Sequence, residues 1–480
     1  MAAPGLFDDY DPGDAFCEIT GRKSDREIQR LFLKRLGRKN LKTLGRRKKQ
    51  AEDELYNLGI TFTVYSGEET IDRILPFDVI PRPITAEDWA ELEAGVVQRI
   101  EALNLFLHDI YHDRKILNDG VVPADLVLKN KYYLEEMEGV DPPAGVYTHI
   151  CGTDLIRDVD GSFLVLEDNC RAPSGVSYVI ENRHLMMRSF PDLMENARIR
   201  PVSDYGVRLR EKLAESAPAG VDDPRIVLMT PGIFNSAYFE HVFLAREMGV
   251  PLVEGRDLFV DEDDRVFMKT VGGPEPVHVI YRRIDDDFLD PEVFREDSML
   301  GTPGLMRAMK AGEVAIANAP GAGVADDKAI YAYLPEIIRY YLDAEPILKN
   351  VRTWICRDRE DRAYVLDHLD ELVVKPVGES GGYGIVVGPK STKKERDEVA
   401  RAIRRDPKNY IAQPMIALSV CPTLTSEGVA PRHVDLRPFA VTGKSTWVLP
   451  GGLTRVAMRK GSIIVNSSQG GGSKDTWVLS

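Results

Sequence analysis

The pattern of apolar and polar positions predicts a long core helix that begins after Thr85. Apolar residues follow at steps of three and four, in the order Trp89, Leu92, Val96, Ile100, Leu103, Leu107 and Ile110. This spacing places them on one helix face. Thr85 and Asp88 resemble a capping box in which Asp replaces the usual Glu, so the helix start is also marked.

A second pattern predicts a β-hairpin with a polar face. Residues 162–167 are typical of a strand, and Asp160-Gly161 before them favours a tight turn. With a two-residue loop, Asp154 would lie opposite Glu167, and Asn169 would share the strand face of Glu167. Three oxygen-bearing side chains would then converge, which suits Mg²⁺. A polar sheet face without a metal is the alternative.

Alternating strands and helices follow from residue 225 onward. Strands at 225–230, 250–253 and 277–281, with a helix at 236–248, predict a small parallel-sheet α/β unit at 221–325. The polar stretch that precedes this unit, residues 200–224, is expected to be a linker. Beyond the unit we predict a helix at 328–342, a strand at 372–375, a glycine-rich turn at 378–384 and strands with glycine-rich loops over 410–480.

Charge is distributed unevenly along the chain. Residues 22–49 contain 13 basic and 2 acidic side chains, although the whole protein carries a formal net charge of −14 at pH 7. This region predicts a basic helix at about 25–36, broken near Gly37 and Gly45. The acidic remainder argues against general nucleic-acid binding. The basic arm could contact an anion, an acidic partner surface or the protein's own acidic body, and a solvated helix is the simplest interpretation.

Composition narrows the class of protein. A chain of 480 residues with 43% hydrophobic and 29% charged residues is neither a disulfide-stapled miniature protein, nor collagen-like, nor wholly disordered. Five scattered cysteines predict neither a disulfide framework nor a zinc knuckle. Without an apolar run of about 18 residues or a signal-peptide pattern at the start, we expect no membrane span and a cytoplasmic protein.

Two further segments could bind phosphate. Lys375 ends a strand and is followed by a glycine-rich loop whose backbone N–H groups could wrap phosphate oxygens, although the loop is not a Walker A sequence and a plain turn is the alternative. Asp435 and Arg437 share one strand face, and an arginine fork suits phosphate oxygens. A surface ion pair is the alternative there.

Together these segments resemble the circularly permuted ATP-grasp proteins, relatives of glutathionylspermidine synthase. The resemblance covers roughly residues 60–480. Its matching stretches are Gly152-Thr-Asp154-Leu-Ile-Arg157, Leu166-Glu167-Asp-Asn169-Cys-Arg171-Ala-Pro-Ser174-Gly175, Asp326-Asp-Lys328-Ala, Val374-Lys375-Pro-Val-Gly-Glu-Ser-Gly-Gly-Tyr-Gly384 and Asp435-Leu-Arg437-Pro. Ordinary ATP-grasp chains place the lysine and glycine loop before the metal-binding Glu-x-Asn, whereas Glu167 here precedes Lys375.

The resemblance implies an α/β fold, a circularly permuted ATP-grasp with an inserted pre-ATP-grasp domain of parallel sheet. The implied domains are a basic N-terminal arm at 1–60, the metal-binding part at 61–200, the pre-ATP-grasp domain at 221–325 and the nucleotide-binding part at 326–480.

The resemblance also implies roles for particular residues. Those that would hold Mg²⁺ against the ATP phosphates are Asp154, Glu167 and Asn169. Those that would contact the nucleotide are Lys328, Lys375, the covering loop Ser380, Gly381 and Gly382, and Gln413 at the adenine hinge, where many relatives have an acidic residue. Those that would act on the reacting groups are Arg437, facing the transferred phosphoryl group, and Arg171 with Ser174 on the acceptor side. Arg282 and Arg283, with Arg171, suggest an anionic acceptor such as a peptide.

The implied activity is an Mg²⁺- and ATP-dependent carboxylate–amine ligase that works through an acylphosphate and releases ADP and phosphate. Its substrates would be small molecules or peptides, and the family resemblance suggests a helical protein partner. Two alternatives stay open: a kinase acting on a hydroxyl, and a non-catalytic nucleotide-binding or assembly module.

Two other groups of residues could bind a metal but are given simpler interpretations. His108 and His112 share a helix face without the zincin glutamate, so a solvated helix face is expected. Cys151 and Cys170 flank the oxygen-bearing residues and are expected to be small apolar fillers, because Mg²⁺ prefers oxygen.

Overall fold

The structure is a computed structural model. It describes residues 5–20, 28, 34–66, 69–195, 197–377, 384–466 and 470–480, and for 61–66 and 69–73 it describes the backbone. The α-helices in this part of the chain are α1 (Leu41–Asn57), α2 (Ala86–Tyr111), α3 (Lys115–Asn118), α4 (Ala124–Leu128), α5 (Val176–Ser189), α6 (Pro191–Met194), α7 (Tyr205–Ala214), α8 (Tyr238–Met248), α9 (Leu305–Lys310), α10 (Lys328–Ala332), α11 (Leu334–Leu342), α12 (Arg359–Asp367) and α13 (Lys393–Arg405).

The strands are distributed along the whole described chain. They are β1 (Thr61–Ser66), β2 (Glu69–Ile74), β3 (Phe77–Ile84), β4 (Ile150–Arg157), β5 (Phe163–Asn169), β6 (Ile226–Met229), β7 (Leu252–Val253), β8 (Leu258–Val260), β9 (Val266–Thr270), β10 (Gly273–Val277), β11 (Val279–Arg282), β12 (Ala315–Ala317), β13 (Lys349–Asn350), β14 (Trp354–Ile355), β15 (Leu372–Pro376), β16 (Val386–Val387), β17 (Tyr410–Pro414), β18 (Val420–Thr425), β19 (Gly428–Arg437), β20 (Phe439–Thr442), β21 (Thr446–Val448), β22 (Leu453–Val456) and β23 (Gly472–Val478).

Three sheets organise these strands around the functional site. Among the described residues, the largest has ten strands, with the central order β13-β5-β4-β19-β22-β23-β3, and is called the main sheet. Strands β12-β11-β6-β7 pair in parallel and form the parallel sheet. Strands β14-β17-β15-β16 pair antiparallel and form the small sheet. The mixed α/β architecture that the sequence predicts is confirmed.

The predicted core helix forms as α2. Thr85 Oγ1 accepts a hydrogen bond from the backbone N–H of Asp88 at 3.0 Å, which satisfies one of the free donors at the helix start. All seven residues of the predicted apolar stripe are buried. They pack in one core with residues of the main and parallel sheets, such as Leu155 and Ile280.

The hairpin has the predicted pairing at the site but a different loop. Asp154 lies opposite Glu167, as predicted, while the connection spans residues 158–162 instead of two residues. The register shifts by one between Asp154 and Leu155, because a β-bulge adds a residue to β5. The five-residue loop and the extra residue of the bulge cancel each other in the strand register. Asp154 therefore still pairs with Glu167, as a two-residue loop would predict.

The predicted linker at 200–224 is wrong, because this stretch contains helix α7. Tyr205, Leu209 and Leu213 recur every four residues and are buried against the parallel sheet and α8, while the polar positions between them face solvent. The many polar residues therefore form the exposed face of an amphipathic helix.

Two other helix predictions also need correction. Gly45 does not break a helix but lies inside α1, where helix-forming neighbours outweigh the low helix propensity of one glycine. The helix expected at 328–342 is divided into α10 and α11 at Tyr333. Pro335 falls in the first turn of α11, where its missing N–H is tolerated. Most of the basic helix predicted at 25–36 lies outside the described residues.

The N-terminal region packs against the body of the protein. Cys17 and Ile19 are buried in one core with Phe77 of β3 and Trp477 of β23, and Leu44 of α1 joins them. The described part of the predicted arm is therefore part of the packed fold.

Candidate functional site

A cavity of about 570 Å³ is lined by residues of both the main sheet and the small sheet. One side is apolar and includes Leu166 of β5, Val373 of β15 and Val387 of β16. Charged and polar side chains line the rest. Its volume falls in the usual range for small-molecule sites, and the mixture of an apolar slot with converging charges suits a nucleotide.

Most of the predicted site residues line this cavity. Those that the structure brings together here are Asp154, Glu167, Asn169, Arg171, Ser174, Lys328, Lys375 and Arg437. The predicted loop residues Ser380, Gly381 and Gly382 lie outside the described residues.

Asp154 forms a buried cluster with two arginines. Its carboxylate accepts from Arg437 Nη2 at 2.8 Å and from Arg455 Nη2 at 2.7 Å, and Arg437 Nε donates to its other oxygen. Arg455 also pairs with Asp435. Burial raises the pKa of Asp154, but Arg437 and Arg455 outweigh it and hold the pKa well below its usual range. Burial dominates at Asp435 and raises its pKa.

This arrangement changes what Asp154 can do. Its two oxygens accept three hydrogen bonds from guanidinium groups, so the residue orients Arg437 as well as lining the cavity. Arg437 Nη1 also donates to the carbonyl of Ser174 at 3.3 Å, which fixes the side chain beside the cavity.

Glu167 and Asn169 supply oxygen atoms from one face of β5. The amide nitrogen of Asn169 donates to the carbonyl of Gly152 at 3.0 Å, which fixes the orientation of the amide and its oxygen. Glu167 Oε2 lies 3.6 Å from the ammonium of Lys328, at the start of α10. Carboxylate and amide oxygens are ligands that hard divalent cations prefer, so these two residues fit such an ion.

Lys375 reaches the cavity from β15 and is held by Gln413 of β17. Its ammonium donates to Gln413 Oε1 at 2.6 Å, and the Gln413 amide donates in turn to Thr353 Oγ1 at 2.9 Å. Burial lowers the pKa of Lys375, although the carboxylate of Glu167 opposes this effect. Gln413 is buried behind Lys375 and is absent from the cavity lining, which argues against the predicted adenine-hinge contact.

Arg171 also lines the cavity. Its Nε donates to Asp326 Oδ2 at 2.9 Å, Asp285 is 3.7 Å away, and the guanidinium lies 4.4 Å from the ring centre of Tyr132. The residue is therefore fixed in position by acids and an aromatic ring at the edge of the cavity.

Arg282 and Arg283 do not line the cavity. Arg282 donates to the backbone carbonyls of Asn318 and Ile284, both at 2.7 Å. Arg283 donates to the carbonyl of Pro173 at 2.9 Å and to Glu240 Oε1 at 3.0 Å. The predicted contact with an anionic substrate is not supported, because both buried guanidinium groups hold the parallel sheet to neighbouring segments.

Three residues that sequence reasoning missed organise the site. Arg455 completes the Asp154 cluster, and Glu240 accepts from the N–H of Gly175 and from the Ser177 hydroxyl. Asn318 accepts from the backbone N–H of Ile150 and donates to the carbonyl of Arg171. Each acts across a long sequence separation, so no local motif marks it.

Cys151 and Cys170 are buried side by side, with their sulfur atoms 3.6 Å apart. The hydrogen bond with Cys151, together with burial, raises the pKa of Cys170 well above its usual value. Both cysteines lie in the main apolar core, in agreement with their interpretation as fillers.

Comparisons with known proteins agree with this geometry. A family model for circularly permuted ATP-grasp proteins of type 2 matches residues 81–457. An uncharacterised protein of Synechocystis sp. is 53% identical over 472 residues, with 98% of each chain covered. A protein of Frankia alni provisionally named a glutamate–cysteine ligase is 41% identical over 477 residues, which cover 99% of this chain and 55% of that protein.

A solved structure has the same overall fold. The glutathione synthetase-like effector from Globodera pallida aligns with a TM-score of 0.61 and 12% identity, covering 92% of this chain and 98% of that one. At this identity the likeness concerns the fold alone.

The fold and the family match together identify an ATP-grasp ligase, the class of ATP-binding enzymes that use a divalent metal and form C–N bonds. The chain belongs to the circularly permuted ATP-grasp family of type 2. Its small-molecule substrates follow from that class. Among the described helices, none has the length and hydrophobicity that crossing a membrane requires.

Proposed function

We propose that the protein is an Mg²⁺- and ATP-dependent carboxylate–amine ligase that works through an acylphosphate and releases ADP and phosphate. One observation supports this most directly. Lys375 of the small sheet and Lys328 of α10 line the same cavity as the oxygen donors Glu167 and Asn169 of the main sheet. The two lysine ammonium groups and the oxygen atoms that could bind a metal would thus enclose a polyphosphate.

Lys328, Lys375 and the cation at Glu167 and Asn169 would together neutralise the phosphate oxygens of ATP. A divalent ion bound there supplies charge stabilisation at the transferring phosphoryl group. The apolar slot beside Val373 and Val387 would take the base. Because Arg437 is fixed by Asp154, its guanidinium is oriented before substrate arrives, which lowers the cost of organising the site.

The acceptor would bind near Arg171 and Ser174. In the first step, a substrate carboxylate oxygen attacks the terminal phosphorus, and the bond to ADP breaks. In the second, the amine attacks the acyl carbon, a C–N bond forms, the C–O bond to phosphate breaks and the amine loses a proton. Arg171 would hold an anionic group of the acceptor, while the exposed carboxylate of Asp285 lies beside it and would attract a cationic amine.

The name of the Frankia alni relative supports amino-acid substrates, since glutamate and cysteine supply a carboxylate and an amine. That protein is longer, and this chain aligns with 55% of it, so the pair of substrates is best found by screening. Amino acids and short peptides form the first panel.

Thermal unfolding with and without Mg²⁺-ATP tests the nucleotide site. A ligand at about 100 times its Kd adds about 2.7 kcal/mol to the free energy of unfolding, so a clear shift is expected. Lys375→Ala and Lys375→Met should lose the shift and lower turnover by roughly 100-fold or more, the scale of one lost electrostatic donor. Lys394→Ala, on the exposed face of α13, should retain both.

Substrate-dependent ADP release then tests the reaction. ADP formation that requires both a carboxylate and an amine supports the ligase. Amine-independent ADP formation with a hydroxyl compound would point to a kinase. Nucleotide binding without turnover across the panel would point to a binding module, and either result would contradict the proposal.

A further inference from the structure

Two histidines and an aspartate come together at the far end of α2, outside the cavity lining. His108 lies in the last turn of α2 and His112 directly follows the helix, with their rings stacked 4.2 Å apart and 5° from parallel. Asp141 lies in the loop that leads to β4. Its Oδ1 is 3.4 Å from His108 Nε2 and 3.2 Å from His112 Nε2.

The hydrogen bonding of His112 defines which of its ring nitrogens can bind a cation. Its Nδ1 is 2.9 Å from the carbonyl oxygen of His108, and a carbonyl only accepts, so the Nδ1 hydrogen is donated there. In the neutral ring, Nε2 therefore carries the lone pair. This atom is buried and makes no hydrogen bond to any of the described residues. It faces a carboxylate oxygen, an arrangement that a cation between them would stabilise.

The spacing of the three donor atoms suits a transition metal. They lie within 4.8 Å of one another. Two ligands at about 2.0–2.1 Å from a tetrahedral Zn²⁺ are about 3.3 Å apart, close to the two distances from Asp141. Two imidazoles and one carboxylate favour Zn²⁺ over Mg²⁺, which prefers an all-oxygen shell. The bond from His112 Nδ1 is the outer-shell contact that commonly orients a histidine ligand.

We propose that His108, His112 and Asp141 form a Zn²⁺ site that is separate from the nucleotide cavity. The site leaves a fourth position for water, because the side chains of His108 and Asp141 are 50% and 71% exposed. A bound ion would clamp the end of α2 to the loop before β4, the strand that carries Asp154. That loop is already docked on α2 by the hydrogen bond from Gly139 N to Tyr111 O at 2.7 Å. Because an imidazole lone pair lies in the ring plane, binding requires the half-exposed His108 ring to rotate out of its parallel stacking with His112, so that both Nε2 atoms point to the ion.

Calorimetric titration of the untagged protein with Zn²⁺, without nucleotide, tests this proposal. His108→Ala should remove one equivalent of binding or weaken it at least about 10-fold, the lower end of what losing even an outer-shell partner costs. Asp141→Asn, at a 71% exposed side chain, should weaken the same event without risk to the fold. Mg²⁺ should not compete, and Zn²⁺ should raise the Tm of the wild type more than that of either variant.

His368→Ala is the matched control. His368 is partly exposed at the end of α12, and its Nδ1 donates to the carbonyl of Tyr364 at 2.8 Å, as that of His112 donates to the carbonyl of His108. Its variant should bind Zn²⁺ like the wild type. Equal Zn²⁺ binding by wild type, His108→Ala and Asp141→Asn, or displacement of the ion by millimolar Mg²⁺, would overturn the proposal. Neither result depends on the proposed ligase activity.

Discussion

At the scale of single residues, the acidic and amide side chains of the site have two different tasks. Some hold buried arginines in place, and others present oxygen atoms to the cavity. Asp154 and Asp435 compensate the charges of Arg437 and Arg455, and removing Asp154 would leave the buried Arg437 without its carboxylate partner. Glu167 and Asn169 remain as the oxygen donors toward the cavity. The metal role is thus proposed for two of the three predicted residues, and the third holds an arginine in place.

Glu167→Gln tests the metal role. Replacing the carboxylate by an amide removes one negative charge from the proposed ion site, so the Mg²⁺ concentration for half-maximal ADP release should rise several-fold. Activity at saturating Mg²⁺ should recover in part. Glu398→Gln, on the exposed face of α13, should leave the Mg²⁺ titration unchanged. An identical titration for Glu167→Gln and the wild type would refute the assignment.

Gln413→Leu tests whether Gln413 positions Lys375. Burial already lowers the pKa of Lys375 from its ordinary value of 10.5. Losing the amide oxygen that accepts from the ammonium lowers this pKa further, because the charged form loses a stabilising contact. The alkaline limb of the pH–rate profile should therefore move to lower pH. Gln50→Leu, on the exposed face of α1, should not shift the profile. A general loss of activity with an unmoved alkaline limb would contradict the positioning role.

At the scale of elements, helix α1 contains a glycine whose replacement by alanine should stabilise the protein. Gly45 lies within the helix, and a Cβ added there meets nothing within 4 Å. Gly45→Ala should therefore raise the free energy of unfolding by about 0.5–1 kcal/mol, measured by urea denaturation. Gly59→Ala is the contrasting control, since Gly59 also has open space but a φ of +67°, where alanine costs about 1–2 kcal/mol. Destabilisation by Gly45→Ala would show that α1 needs glycine there.

The elements also show what local sequence can and cannot predict. Helix α2 depends on near neighbours and was predicted correctly. The Asp154–Glu167 pairing was also predicted, but from a two-residue loop, and it holds because the five-residue loop and the bulge cancel in the register. The signal for α7 was available in Tyr205, Leu209 and Leu213, but polar composition obscured it. Arg455 and Asn318 could not be assigned, because their partners are distant in sequence and become neighbours only when the sheets pack.

At the scale of the whole molecule, the cavity joins parts of the chain with separate packing. The small sheet has its own apolar core around Trp354 and Ile403, whereas the core around α2 includes the main and parallel sheets. Ligand binding between such parts adds contacts that neither has alone. We therefore expect nucleotide to couple their stabilities.

Hydrogen exchange followed by mass spectrometry measures this coupling directly. Without ligand, β15 in the small sheet should exchange faster than β4 in the main sheet, because its apolar core is smaller. Mg²⁺-ATP should slow exchange in β15 and in β5 together, since Lys375 and Glu167 would contact the same ligand. Strand β9, which belongs to a three-stranded sheet and does not line the cavity, serves as the internal control and should exchange at an unchanged rate. Lys375→Met should abolish the protection in both strands. Protection confined to β15 would mean that the nucleotide contacts the small sheet without reaching Glu167, and the proposed site across the two sheets would be wrong.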